Sequence, residues 1–443
     1  MSLRLLMSPA AALAVAACAT FTDLPLPARP GLAGSLAALH HVRVNVAAPL
    51  SVSEVALLAV QNDPDLRAGR AQHGVAEAQL LEAGLLPNPQ LTGSVLSVVA
   101  GPGTTTAWTA GISEDIRSLI TLSSRSDAAR NAAAQVDAQL VWQEWQVVSQ
   151  ARLLAVDLIE GVRSLGLLQR SRDLFASRYE RSRRAVAAGN ETVTAATPDF
   201  AALQIIKTQI NDMERQQLSR RHQLNALLGL APDVAVPLRD APDLPPWDPD
   251  AVNRVLATLA ERRPDLIALQ LGYRAQNAKL RTAILSQFPN LSFGVMGGSD
   301  NSNIRNFGPQ VTLELPVFNR NQGNVAIERA TRQQLHDEYT ARLTAAVGQV
   351  QGMMAEIAQL SRQLETARHD LALATRTAAQ AEAALRAGNL DERSYVDLVS
   401  ARLTKEQEIV TMQQSLLEQR VAIATLVGSG MPPVILPAET SRS

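Results

Sequence analysis

Apolar and polar positions follow two rhythms along this chain. Residues 122–188 and 321–387 are each roughly 67 residues of Ala, Leu, Gln, Arg and Glu without a proline, which predicts two helices about 100 Å long at 1.5 Å per residue. Each run ends in an Ala-Gly-Asn turn, Gly189 with Asn190 and Gly388 with Asn389, and glycine suits the left-handed conformation that terminates a helix. Return helices of about half that length are predicted over 198–228, with Thr197 as N-cap, and over 391–427. The second rhythm has period two. Leu91, Gly93, Val95, Ser97 and Val99 share one face of a strand, and Thr106, Trp108, Ala110 and Ile112 share one face of another, with Gly101, Pro102 and Gly103 turning between them. Leu291, Phe293 and Val295 alternate in the same way, as do Val311, Leu313, Leu315 and Val317 around polar Gln310, Thr312 and Glu314. The hairpins therefore span residues 89–115 and 289–317, the second with a polar loop from Gly297 to Gly308.

The order of elements repeats at an offset of about 200 positions, the mark of a duplication. Pro64, Asp65, Leu66, Pro89, Leu91 and Val95 meet Pro264, Asp265, Leu266, Pro289, Leu291 and Val295, while Ala188, Gly189 and Asn190 meet Ala387, Gly388 and Asn389. Repeat one covers 51–229, a linker or equatorial segment covers 230–262, repeat two covers 263–428, and a tail covers 429–443. In each repeat the helix before the hairpin and the return helix would stack end to end beside the long helix. An apolar face opposite a polar one on strands of about ten residues fits a barrel with lipid outside and water inside. Two hairpins lying on a soluble core would show the same alternation. Four strands cannot close a barrel, and open edges in lipid leave backbone groups unpaired. Three copies would supply twelve strands and twelve helical columns.

Composition narrows the reading. Aromatic residues make up 3% of the chain, and 41 basic residues nearly balance 42 acidic ones, so nothing draws it toward nucleic acid. Arg4 and an apolar run ending in Val15, Ala16 and Ala17 read as a signal peptide over 1–17. The sole cysteine, Cys18, follows at once, and the junction resembles a bacterial lipobox in which Cys18 would carry lipid. A proline-rich stretch, 18–50, then reads as an extended tether along a surface. Beyond the leader no apolar run reaches the ~20 residues of a spanning helix.

Arg263, Pro264, Asp265, Leu266, then Phe288, Pro289, Asn290, Leu291, and the two Ala-Gly-Asn turns resemble those of the outer membrane efflux protein family, the TolC-like channels. The resemblance covers essentially all of the chain after the leader. Leu315 to Gly323 resembles the strand-to-helix junction of the cobalt-zinc-cadmium efflux branch. Repeat one has Asp115 where repeat two has Pro316, so the two junctions are expected to bend differently. The resemblance implies a mainly α fold carrying a transmembrane β-barrel, trimeric and twelve-stranded, on a helical periplasmic tunnel. It further implies a passive conduit that meets a periplasmic adaptor and an inner-membrane RND-type pump, with heavy-metal cations as cargo. An organic drug or solvent channel of the same architecture, and a non-conducting periplasm-spanning lipoprotein, are the alternatives.

No arrangement of residues suggests an enzyme or a resident cofactor. The six histidines are scattered without i, i+4 pairs, and no Gly-rich phosphate loop appears. Function is instead expected at three places: lipid on Cys18, adaptor contact at Gly189, Asn190, Gly388 and Asn389, and a gate. Asp370, beside His369 near the second turn, is the candidate gate residue, because a ring of three acids would favour cations. A solvated helix face would place an aspartate there equally well.

Overall fold

The computed structural model describes residues 21–100 and 105–430. Segment 1–17, Cys18, the Gly101–Pro102–Gly103 turn and all but the first two residues of the tail 429–443 lie outside the described residues. Helix α1, Val52–Asn62, begins with a capping box: Ser51 Oγ accepts from Glu54 N at 3.2 Å, and Ser51 N donates to Glu54 Oε2 at 2.7 Å. Asp63 then caps α2, Pro64–Gly84, accepting from Leu66 N at 2.8 Å, with Pro64 in the first turn where no donor is lost. Strands β1, Gln90–Leu96, and β2, Ala107–Asp115, lead into α3, Ile116–Ala187, a single helix of 72 residues. Its partner is α4, Val193–Leu228.

The second half follows the same order. After α5, Pro249–Leu256, and the single turn α6, Leu259–Arg262, come α7, Pro264–Leu285, strands β3, Leu291–Ser299, and β4, Arg305–Leu313, the long helix α8, Gln322–Arg386, and α9, Glu392–Leu426. Helices α2 and α4 both pack on α3, whereas α7 and α9 each pack on both α3 and α8. Close approach depends on small residues: a Cβ at Gly161 of α3 would collide with the amide of Gln217 in α4.

Several boundaries differ from expectation. The first long helix starts at Ile116, because Asp115 ends β2 and caps α3 at once, accepting from Arg117 N at 2.9 Å and Ser118 Oγ at 2.5 Å. Between β4 and α8, by contrast, Pro316 and Asn321, the latter with φ 58°, hold an irregular connection. Thr192 caps the first return helix, and Pro198 lies inside it. Thr197 Oγ1 instead donates to the Val193 carbonyl at 2.9 Å. The loop expected from Gly297 to Gly308 is mostly strand. Its turn is only residues 300–304, where Asp300 Oδ1 accepts from Ser302 N at 2.8 Å and Ile304 N at 2.9 Å.

The tether is also partly structural. Ala33 N donates to the Gly229 carbonyl at 2.9 Å, and Leu50 N to the Pro237 carbonyl at 2.8 Å. These bonds seat Leu36, Leu39 and Leu50 in a core with Val55, Leu58, Val156, Leu224 and Leu228. Each fully buried leucine there contributes ~1.5–3 kcal/mol. Residues 21–30, by contrast, are exposed throughout.

The sheet has order β1-β2-β3-β4, all antiparallel, so the two hairpins lie side by side although the chain between them is long. The β2–β3 seam is tight: a Cβ at Gly294 would strike the Ile112 carbonyl, and one at Gly298 would lie 2.5 Å from the Trp108 carbonyl. At Gly308 nothing lies within 4 Å. Gly294→Ala should therefore break up the sheet, lowering the yield of folded, protease-resistant protein several-fold, whereas Gly308→Ala should give the wild-type yield.

Candidate functional site

Because opposite residues in an antiparallel pair project to one side, the register sorts the sheet into two faces. One carries Leu91·Ile112·Val295·Pro309, Gly93·Ala110·Gly297·Phe307, Phe293·Val311 and Leu291·Leu313, with polar Glu114 toward the helices and Ser299 with Arg305 toward the loop. The other carries Thr92, Ser94, Thr109, Ser113, Ser292, Gln310 and Thr312 among glycines, with Leu96, Ala107 and Met296 as its apolar members. Leu91 is 82% exposed and Val311 61%. The apolar rows from Leu291·Leu313 to Gly297·Phe307 extend about 20 Å along the strands at ~3.3 Å per residue, close to the ~25 Å lipid-facing band of outer membrane barrels. No described helix is long and apolar enough to cross a membrane. Within one chain, β1 and β4 each leave an edge without a partner.

The opposite end of the molecule holds the two turns. Gly189 N donates to the Val186 carbonyl at 3.0 Å and Asn190 N to the Ala185 carbonyl at 2.9 Å; Gly388 and Asn389 repeat this on Leu385 and Ala384 at the same distances. Both are Schellman closures, with φ of 74° at Gly189 and 73° at Gly388. Nothing packs over either glycine, so both turns are open to contact from outside.

Just inside the turns lies an ion-pair cluster that the sequence pattern did not signal. Asp199 is 2% exposed; it accepts from Ser182 Oγ at 2.5 Å and forms ion pairs with Arg178 Nε at 2.7 Å and Arg393 Nη2 at 3.5 Å. Arg178 also reaches Asp397 at 2.5 Å, Arg393 reaches Glu191 at 3.4 Å, and Arg181 pairs with Glu392. The cluster ties α3, α4 and α9 together. Removing one side of such a buried pair typically costs ~3–5 kcal/mol. An aspartate directly after Pro198 was the available clue, but Arg178 and Ser182 lie on a different helix and Arg393 comes from the second half of the chain.

Asp370 lies on α8, half-exposed, with Oδ2 3.7 Å from Lys405 Nζ of α9. Lys405 also meets Glu408 at 2.8 Å; that hydrogen bond, with Asp370 adding to it, holds the ammonium above its usual range. Asp370 thus shares a cation across the α8–α9 groove, which Asp397 of the Asp199 cluster also lines. Among the described residues, no group of three or more His, Cys, Asp or Glu is placed to hold a metal ion.

A second polar cluster marks the seam between the halves. Gln414 Nε2 of α9 bonds Asp157 Oδ1 of α3 at 3.0 Å and Glu418 Oε1 at 2.7 Å, while Arg220 of α4 lies 3.2 Å from Asp157. Burial, reinforced by the neighbouring Asp157, pushes the Glu418 carboxyl up to about 7.

Comparison with known proteins follows from this geometry. Residues 255–429 match the profile of the family Outer membrane efflux protein. The chain is 25% identical over 309 residues to the cobalt-zinc-cadmium resistance protein CzcC of Cupriavidus metallidurans, covering 67% of this chain and 70% of that one. It is 27% identical over 175 residues to the outer membrane protein OprJ of Pseudomonas aeruginosa, a match spanning 37% of this chain and only 36% of OprJ. Its fold superposes on the crystal structure of CusC with a TM-score of 0.67 at 20% identity, covering 93% of this chain and all of CusC. Residues 255–429 thus resemble the outer membrane efflux protein family, and the chain shares its overall fold with CusC.

The raised Glu418 carboxyl has a consequence for stability. The folded chain keeps this proton from pH ~4.5 up to about 7, where the unfolded chain has lost it, so stability falls as pH rises through that window and levels off above it. The melting temperature should drop between pH 5 and pH 7.5, and Glu418→Gln should flatten that slope.

Proposed function

We propose that three copies of this chain close a twelve-stranded barrel in the outer membrane and a continuous helical tunnel in the periplasm. In this reading the protein is the passive exit channel of a tripartite efflux system. The sheet carries the proposal: an apolar face with two unpaired edges is unstable in lipid, and joining β4 of one protomer to β1 of the next removes every edge. The polar, glycine-rich face then lines the water-filled interior. The continuous α3 and α8 stand beside the broken α2–α4 and α7–α9 columns as staves of the tunnel wall. Repeat one, 51–229, and repeat two, 263–428, act as pseudo-equivalent halves joined by the equatorial segment 230–262.

The exposed turns at Gly189, Asn190, Gly388 and Asn389 are the proposed contact with a periplasmic adaptor and, through it, an inner-membrane RND-type pump. Cys18 is the proposed lipid attachment point, and several acyl chains would add membrane affinity beyond the barrel. Heavy-metal cations are the proposed cargo, supported by the similarity to CzcC and by the junction from Leu315 to Gly323. In detergent the purified protein should run as a trimer, conduct ions in a planar bilayer, and carry acyl mass on the peptide beginning at Cys18. A monomer or dimer that never conducts would remove the channel reading. Deleting the gene should sensitise cells to cobalt, zinc or cadmium; sensitivity to organic drugs alone would overturn the cargo assignment.

Asp370 is the proposed gate acid, one per protomer in a ring of three. Asp370→Ala should raise single-channel conductance and weaken cation preference. Unchanged values of both would return Asp370 to a plain partner of Lys405.

A further inference from the structure

A cavity of 370 Å³ lies in the equatorial region, between the segment 244–255, the middle of α3 and the end of α9. Its walls are apolar, with Leu244, Trp247, Val252 and Ile423, yet two guanidinium groups, Arg152 of α3 and Arg420 of α9, open into it. That volume falls among small-molecule sites, which span roughly 300–1,000 Å³ and pair apolar linings with a few charged groups.

Neither arginine makes an ion pair among the described residues. Arg152 lies over the Trp145 ring at 5.6 Å, and its Nε is buried with no hydrogen-bond acceptor. Arg420 donates to the Pro245 carbonyl. Burial pulls both below the usual guanidinium range.

The nearby acids make their contacts elsewhere, although Asp243 lies close enough to Arg152 to favour its charged form. Asp243 Oδ1 accepts from Val52 N at 2.7 Å, at the start of α1. Asp248, on the cavity wall, accepts from Asp250 N and Ala251 N at 3.0 Å and faces Arg254 at 3.6 Å. Two partly desolvated cations thus share an apolar chamber without a counter-charge in contact, an arrangement that costs free energy until an anion enters.

We propose that this cavity binds a small amphiphilic anion, with a carboxylate or phosphate head at Arg152 and Arg420 and an apolar body against Trp247, Leu244, Val252 and Ile423. The site is independent of the conduit and of its cargo. A bare inorganic anion would leave the apolar wall unused, and a neutral apolar molecule would leave both guanidiniums unanswered.

Isothermal titration of the full chain, purified in a non-ionic detergent, tests this with three soluble probes: 4-phenylbutyrate, 4-phenylbutan-1-ol and inorganic phosphate. Saturable binding of 4-phenylbutyrate is expected, with the alcohol and phosphate each at least about tenfold weaker, as befits loss of a charge-assisted contact or of the apolar body. Combining Arg152→Met with Arg420→Met should weaken 4-phenylbutyrate by about tenfold or more while the alcohol is unaffected. Val255→Phe, which fills the chamber and keeps both arginines, should abolish binding and covers the case in which the double variant fails to fold. Equal affinity for acid and alcohol would overturn the proposal in favour of apolar partitioning. Phosphate binding as tightly as 4-phenylbutyrate would overturn it in favour of a plain anion site. Absence of saturable binding by all three probes would overturn it outright.

Discussion

Everything in this molecule depends on the backbone of its two outer strands. A strand edge in water is solvated, but in hydrocarbon each unpaired N–H and C=O costs several kcal/mol. The register gives the four strands an apolar face nearly as tall as the lipid-facing band of a barrel, and it leaves β1 and β4 open. The proposed trimer follows from that constraint, since closure is the solution that leaves no edge. Glycines at 111, 294 and 298 on the polar face let neighbouring strands come close, and in the proposed barrel the polar groups of that face line the interior.

The helices meet a second constraint, distance. The proposed wall, continuing a barrel across a periplasmic gap, needs elements that are long, thin and mutually packed. Alanine-rich surfaces allow this because small side chains let helix axes approach. The price is a thin core: large buried side chains concentrate where the tether, α1, the middle of α3 and the end of α4 meet. That region anchors the hairpins on one side and the tips on the other. The Asp157–Gln414–Glu418 cluster joins the two halves close to it.

At the tips the energetics change character. Apolar burial is sparse there, and Asp199, held by Arg178 and Arg393, supplies the fixed point between α3, α4 and α9. A buried charge is stable only while its partners stay in place, so the cluster resists small displacements of α9 strongly. Asp370 and Lys405, half in solvent, exert a weaker and more screened pull. The Gly-Asn turns carry no packing above them, which leaves their surfaces available to another molecule while the cluster beneath keeps their positions defined.

Much of this was legible in the chain. The period-two runs around Leu91, Ile112, Val295 and Val311 and the proline-free runs before Gly189 and Gly388 are local properties, set by side-chain alternation and helix propensity. Caps such as Ser51 with Glu54 follow local rules too, because their partners lie three residues apart. Local rules failed where a residue had a competing use: Asp115 serves strand and helix at once, Thr192 displaces Thr197, and Gly297 and Gly308 extend strands that composition assigned to a loop. The sequence by itself thus determined the elements, their order and the apolar face. Only the tertiary structure decided which hairpins share a sheet, that Leu36, Leu39 and Leu50 belong to the core, and that Asp199, Arg178 and Arg393 form one cluster. Those outcomes depend on contacts between residues tens to hundreds of positions apart, whose closure is set by packing of whole elements and leaves no periodic trace in the chain.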